Sequence, residues 1–339
     1  MNWNKEKIAI GNGEMVDAMS PVIISASRST DIPAFYSDWL IKRIDAGYVK
    51  WKNPFNGVYS YVSFRNARLF VFWSKNPKPI MKYLDMFEQK GFNYYFQFTL
   101  NDYDRENLEP NVPNVENRIE TFIKLSERIG KGKVIWRFDP LILTDKIDVE
   151  SLLRKIEGIG DKINAYTEKL VFSFADIKVY NKVQNNLRKQ SIKYLEFNLS
   201  IMNEFAAKLN ELNKKWNLEI ATCAEKIDLD KYGIKHNRCI DDDLIIKLFS
   251  NDKALMDYLG IKVIPADIFN NNPTIVKKRD LKDKGQREFC GCILSKDIGE
   301  YNTCPHLCEY CYANASKEIA ISNWKHHKEN PNNEMIKGF

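Results

Sequence analysis

No cysteine occurs before Cys223 in this chain of 339 residues, so no disulfide framework organises its first two thirds. Histidine is also scarce. Of the four present, His236, His326 and His327 lack the spacing of metal ligands and are expected on the solvated surface, while His306 falls inside a cysteine-rich loop as a packing or hydrogen-bonding residue. No apolar run reaches the roughly 18 residues that span a bilayer. The opening segment Met1 to Lys7 also lacks a signal-peptide core, so a cytoplasmic protein without a membrane partner is expected. P-loop, G-x-G-x-x-G and G-x-S-x-G motifs are absent, which leaves nucleoside triphosphate, Rossmann-cofactor and serine-hydrolase chemistry without a sequence basis.

What is present suits a folded core: 44% of residues are hydrophobic, and the net charge is +6 with Lys and Glu interspersed. The densest basic run is Lys277-Lys278-Arg279, continued by Lys282, Lys284 and Arg287. It reads either as a surface that draws an anionic substrate, nucleic acid included, or as a solvated linker.

Six short apolar runs each precede a segment of helical periodicity, the pattern of βα units around a parallel sheet. They are 22–27, 69–74, 94–99, 134–138, 170–174 and 218–223, with helices expected near 35–46, 79–90, 115–129, 148–158, 178–190 and 200–216. The fold class expected is α/β, a partial or closed parallel TIM-like βα barrel, ending in a cysteine-rich cluster-binding segment. Three regions are expected: a barrel core over 1–226, a helical or irregular extension and connector over 227–286, and a cluster segment over 287–339. One helix near 242–259 and a strand at Ile261–Ile264 are expected in the extension. Strand ends carry Arg28, Lys75, Thr99, Arg137 with Asp139, Ser173, and Cys223 with Glu225, and the C-terminal ends of barrel strands converge on one mouth. Asp31 is read as a helix N-cap before Pro33.

Five of the seven cysteines lie between Cys290 and Cys311. In a reducing compartment an odd number of thiols points to ligation or burial. Cys304, Cys308 and Cys311 form C-x3-C-x2-C, with Tyr310 before the last cysteine. Three thiolates on one loop can hold an iron-sulfur cluster and leave one iron open to a small molecule.

This motif resembles the signature of the radical S-adenosylmethionine (radical SAM) superfamily. The resemblance implies a catalytic [4Fe-4S] cluster, S-adenosyl-L-methionine as cofactor, oxygen sensitivity, an electron donor such as flavodoxin or ferredoxin, and an unknown substrate. The segments Phe72-Trp73-Ser74-Lys75-Asn76-Pro77, Leu108-Glu109-Pro110 and Trp136-Arg137-Phe138-Asp139-Pro140 resemble strand ends of spore photoproduct lyase and its relatives. Over nearly its full length the chain resembles a bacterial and archaeal family of unassigned function, marked by Ser27-Arg28-Ser29-Thr30-Asp31-Ile32-Pro33-Ala34-Phe35-Tyr36. In the superfamily the motif follows the first barrel strand, whereas here only 28 residues follow Cys311. The resemblance therefore implies a circular permutation, with the cluster loop and a helix from Ala313 to about His327 at the end. Chain termini of compact domains are often close, which permits it.

Cys223, Cys239, Cys290 and Cys292 remain, and four thiolates suit a second, closed [4Fe-4S] cluster or a Zn²⁺ ion, with Gly291 letting the last pair converge. Arg137, Lys75 and Glu225 are the candidate catalytic residues, and Tyr310, Thr99, Ser173 and Arg28 the candidate cofactor contacts. Two other readings stand beside the enzyme: a zinc-stabilised nucleic-acid-binding protein, and an iron-sulfur redox sensor or electron carrier.

Overall fold

The computed structural model describes residues 3–264, 274–277 and 279–338. All six apolar runs are strands of one parallel sheet: β1 (Ile23–Ala26), β2 (Leu69–Ser74), β3 (Asn93–Thr99), β4 (Val134–Leu141), β5 (Lys169–Phe174) and β6 (Glu219–Thr222). Two short strands extend it, β7 (Ile234–His236) beside β6 and β8 (Lys296–Asp297) beside β1. The order β7-β6-β5-β4-β3-β2-β1-β8 leaves β7 and β8 as free edges, so the sheet is the partial form of a TIM-like arrangement.

Side-chain alternation gives this sheet two buried faces. On the outer face Phe70, Phe72, Phe96, Phe98, Trp136 and Phe172 pack under the helices. Phe72 and Phe96, paired in register, stack with ring centres 4.9 Å apart. The covering helices are α1 (Ile32–Phe35), α2 (Ser37–Ala46), α3 (Leu84–Gln89), α4 (Val115–Ile129), α5 (Val149–Ile163), α6 (Asn181–Lys189) and α7 (Leu199–Asn213). Asn114, Asp148 and Asn198 cap α4, α5 and α7 through side-chain oxygens.

The inner face carries Ile23, Leu69, Val71, Tyr95, Ile135 and Val171, covered by the chain after Cys239. The apolar stretch expected there as one helix is two, α8 (Asp242–Phe249) and α9 (Lys253–Leu259). Asp252 separates them: its carboxylate caps Leu255 N at 3.0 Å and accepts from Arg68 of the neighbouring β1–β2 region at 2.8 Å. Ile261–Ile264 is a strand as expected, paired with Thr274–Lys277. Part of the basic run, Lys278, lies outside the described residues.

A separate four-stranded sheet, Lys5–Ala9, Met15–Met19, Tyr59–Ser63 and Tyr48–Lys52, was not anticipated. Its strands are short, charged and half exposed, so they lack the apolar runs of the main sheet. The chain ends in α10 (Lys317–Glu329), capped by Ser316, which begins a few residues later than expected. No described helix is long and apolar enough to cross a membrane.

Candidate functional site

The strand of the main sheet that comes last in sequence lies beside the one that comes first. Pairing of Lys296 with Ile24 and Asp297 with Ser25 brings the chain into the sheet parallel to β1, and the cysteine loop follows directly. Asp297 fixes this junction, accepting from Ser25 Oγ at 2.7 Å and from the Arg28 amide at 2.8 Å.

The loop is then clamped to strand ends from the other side of the chain. Glu309 N donates to the Leu108 carbonyl at 2.9 Å, and Asn111 Nδ2 to that of Pro305 at 2.9 Å. Tyr36 donates its hydroxyl to the Thr303 carbonyl, and Asn314 Nδ2 reaches the Cys304 carbonyl at 2.9 Å. Within the loop Leu307 takes a left-handed backbone, φ 56°, rare for a side chain with a branched body. Cys308 is buried and Cys304 and Cys311 half-buried. Burial pushes the Cys304 thiol up to about 12.

Two buried polar groups hold the loop from below. Asp31 does more than cap α1 through Ala34 N. It also accepts from Ser74 Oγ and Lys75 N, both at 2.7 Å, and faces His306 at 2.8 Å. The cap alone is therefore too small a role for it. Next to it, Lys75 Nζ donates to Glu109 at 2.7 Å and to the Tyr310 hydroxyl at 2.8 Å, while Tyr310 donates to Glu109. Asn101 and Arg118 complete the shell of Glu109 at 3.0 and 3.3 Å. Burial opposes ionisation of Glu109, but Lys75 and Arg118 bring it down to about 2. The same pairing raises Lys75 against the opposing effect of its burial.

Cys223, Cys239, Cys290 and Cys292 also come together, on the inner face of the sheet. Cys223 Sγ lies 3.6 Å from Cys239 Sγ, and the amides of Cys239 and Ile240 point at Cys292 Sγ at 3.2 and 3.5 Å. Gly291 is required between the last pair because of close approach: a Cβ there would meet Arg238 Cγ at 2.7 Å.

Arg137, expected at the mouth, points to this second group. Its Nη1 donates to Cys239 Sγ at 3.0 Å and Gln97 Oε1 at 3.1 Å, and it pairs with Asp139. Ser173 is engaged by Asp139 through its hydroxyl. Asp139 N in turn donates to Asn101 Oδ1 at 2.9 Å, so a polar chain from Tyr310 through Asn101 and Asp139 to Arg137 links the two cysteine groups. Glu225 accepts from Phe174 N at 2.9 Å, and burial raises it to about 7. Thr99 sits half-buried opposite Arg137 in the register. Arg28 stacks over Trp73, its Cζ 4.9 Å from the ring centre, and its buried Nη2 has no hydrogen-bond partner.

Sequence reasoning named Leu108-Glu109-Pro110 without a role for Glu109, and did not single out Asn101 or Gln97. Polar residues in loops acquire meaning only when their partners are known. His327, expected on the surface, is instead buried, stacked on Trp324 and 2.8 Å from the Ile336 carbonyl. The acidic run Asp241-Asp242-Asp243 converges on Arg238, which pairs with all three carboxylates. Clefts of about 350 and 300 Å³ lie away from the thiols, against the N-terminal sheet and beneath the strand starts.

A family model described as a domain of unknown function, DUF1848, matches residues 23–313. No curated protein matches the chain. Among solved structures, one described as a "putative alpha-L-fucosidase" from Bacteroides thetaiotaomicron is similar at 11% identity and a TM-score of 0.24, over 57% of this chain and 74% of that one.

Proposed function

The chain belongs to the DUF1848 family, whose function is unassigned, and within it we propose a radical SAM enzyme with a [4Fe-4S] cluster on Cys304, Cys308 and Cys311. The observation that carries this reading is the position of the cysteine loop. It leaves β8, the strand beside β1, and lies over the C-terminal ends of β2 and β3, where βα folds build active sites. The same position supports the permuted arrangement, because the last strand takes the place that a first strand holds in an unpermuted sheet.

The residues fit such a cluster. Three cysteines stand on one loop, one buried and two half-buried, with the Lys75 cation nearby and an ordered hydrogen-bond shell behind them. Bound there, the cluster and S-adenosylmethionine would supply a 5′-deoxyadenosyl radical able to abstract hydrogen from a substrate. The protein's part is to position and exclude. Lys75, Glu109 and Asn101 fix Tyr310, and Asp31 fixes His306, so the cysteines have little freedom to move. Thr99 and Arg28 remain the residues assigned to the cofactor, whereas Ser173 serves Asp139 and acts by positioning. Glu225, held by Phe174 N, is the group proposed to contact substrate.

Anaerobic reconstitution followed by dithionite and S-adenosylmethionine tests the proposal. Formation of 5′-deoxyadenosine, lost in Cys308→Ala, is expected. Iron-containing protein that yields none would leave a redox carrier as the reading.

A further inference from the structure

The four remaining cysteines face two buried cations. Arg137 is 3% exposed and donates directly to Cys239 Sγ, and Arg28 faces Cys292, Cys239 and Cys290 with an unpartnered Nη2. Buried cations need anionic partners. Arg137 has one in Asp139, and Arg28 has the charge of Asp297, whose carboxylate bonds its amide and leaves Nη2 unpartnered. A metal centre held by thiolates would give both guanidiniums a further anionic neighbour.

The hydrogen bonds point the same way. Cys239 Sγ is met by Arg137 and by Asn237 Nδ2 at 3.3 Å, and Cys292 Sγ by two backbone amides. Donors converging on sulfur are the partners that a metal-bound thiolate accepts. Cys239 itself is immobilised, its carbonyl accepting from Tyr95 Oη at 2.7 Å and Gln97 Nε2 at 2.9 Å.

Spacing selects among metals. Zinc, with Zn–S bonds of about 2.3 Å, holds four sulfurs about 3.8 Å apart on every edge. Among the described residues no three cysteine sulfurs lie within 4.8 Å of one another, and the close pair Cys223–Cys239 is only one edge. A cubane sets its thiolate sulfurs on separate corners, farther apart than zinc does, so it takes the strung-out set once the Cys223–Cys239 pair, 3.6 Å apart, opens around it. We infer that Cys223, Cys239, Cys290 and Cys292 hold a second [4Fe-4S] cluster, closed by four thiolates and linked by Arg137, Asp139 and Asn101 to the three-cysteine loop.

This site stands without the radical reading, and a variant separates the two. Cys308→Ala/Cys311→Ala, reconstituted anaerobically with iron and sulfide, should retain about four irons and four sulfides per chain, half the wild-type content. Dithionite should then give it a cluster electron-paramagnetic signal. Adding Cys239→Ala with Cys292→Ala should remove that iron, and Cys223→Ala with Cys290→Ala serves if circular dichroism shows that the first quadruple variant is unfolded. Iron falling to zero in the double variant, one zinc in place of iron, or iron kept by a folded quadruple variant overturns the assignment. Wild type with about eight irons but no 5′-deoxyadenosine would sink the radical proposal and leave this one standing.

Discussion

Asp31 Oδ2 lies 2.8 Å from Nε2 of His306, joining the loop after β1 to the cysteine loop across 275 positions of chain. The same carboxylate caps α1 and accepts from Ser74 and Lys75 N. Asp31→Ala therefore removes a cap and strands several buried donors. A loss of about 2–4 kcal/mol is expected. Guanidinium unfolding followed by circular dichroism measures it, and an unchanged midpoint would contradict the clamp. Asp31→Asn should lose less, since the amide oxygen can still cap Ala34 N.

Glu109 is the shared anion of Lys75 and Arg118 beneath Tyr310. Glu109→Gln leaves two cations without it in the interior, and a cost of about 3–5 kcal/mol is expected. The pH dependence follows from the lowered value of about 2 against an ordinary 4.5. A carboxylate lowered on folding contributes stability that is whole above 4.5 and lost as pH falls toward 2. The gap between wild type and Glu109→Gln should thus be constant from neutral pH to about 5 and narrow below it. A gap that does not narrow at pH 3 would refute the ion-pair account.

Gly299 marks the close passage between β8 and the loop after β1. A Cβ there would collide with Ser27, and it would meet Ser29 Oγ at 2.5 Å. Both hydroxyls are buried and 3.0 Å from each other, so neither has room to retreat. Gly299→Ala should cost about 1–3 kcal/mol by forcing the junction apart. Adding Ser27→Gly removes the obstacle and should restore part of the loss, a coupling visible in a double-mutant cycle. Strict additivity of the two substitutions would argue that they do not touch.

How far the sequence reaches depends on what each residue needs to declare itself. The main strands were legible because burial on both faces makes runs such as Leu69-Phe70-Val71-Phe72 apolar throughout. The β8 strand was not, since Lys296-Asp297 is two polar residues that become a strand only through pairing with Ile24 and Ser25. The cysteines drew notice by number and spacing, and the fold sets three of them on the loop after β8 and four on the inner face of the sheet. Arg137, expected at a strand end, lies inside β4, which runs on to Leu141, and only the fold reveals that its guanidinium turns toward Cys239. Its neighbour Lys75 points instead to Tyr310. Side-chain partners separated by more than a hundred residues, such as Asn101 and Tyr310, leave no local pattern to read.

Lys296 gives the junction of β8 an unusual pH response. Its ammonium is buried with Nζ 2.9 Å from the centre of the Trp51 ring, and burial lowers its pKa to about 7 despite the opposing charge of Asp297. A lysine lowered on folding binds fewer protons folded than unfolded between 7 and its ordinary 10.5. Stability should therefore rise with pH through that window, with the penalty complete below 7 and absent above 10.5. Lys296→Met keeps contact with the indole face but carries no proton. It should be more stable than wild type at pH 7, and the difference should shrink as pH approaches 10. Urea midpoints of the two proteins at pH 7, 8.5 and 10 decide this, and a constant offset across the three would mean that Lys296 titrates normally beside Trp51.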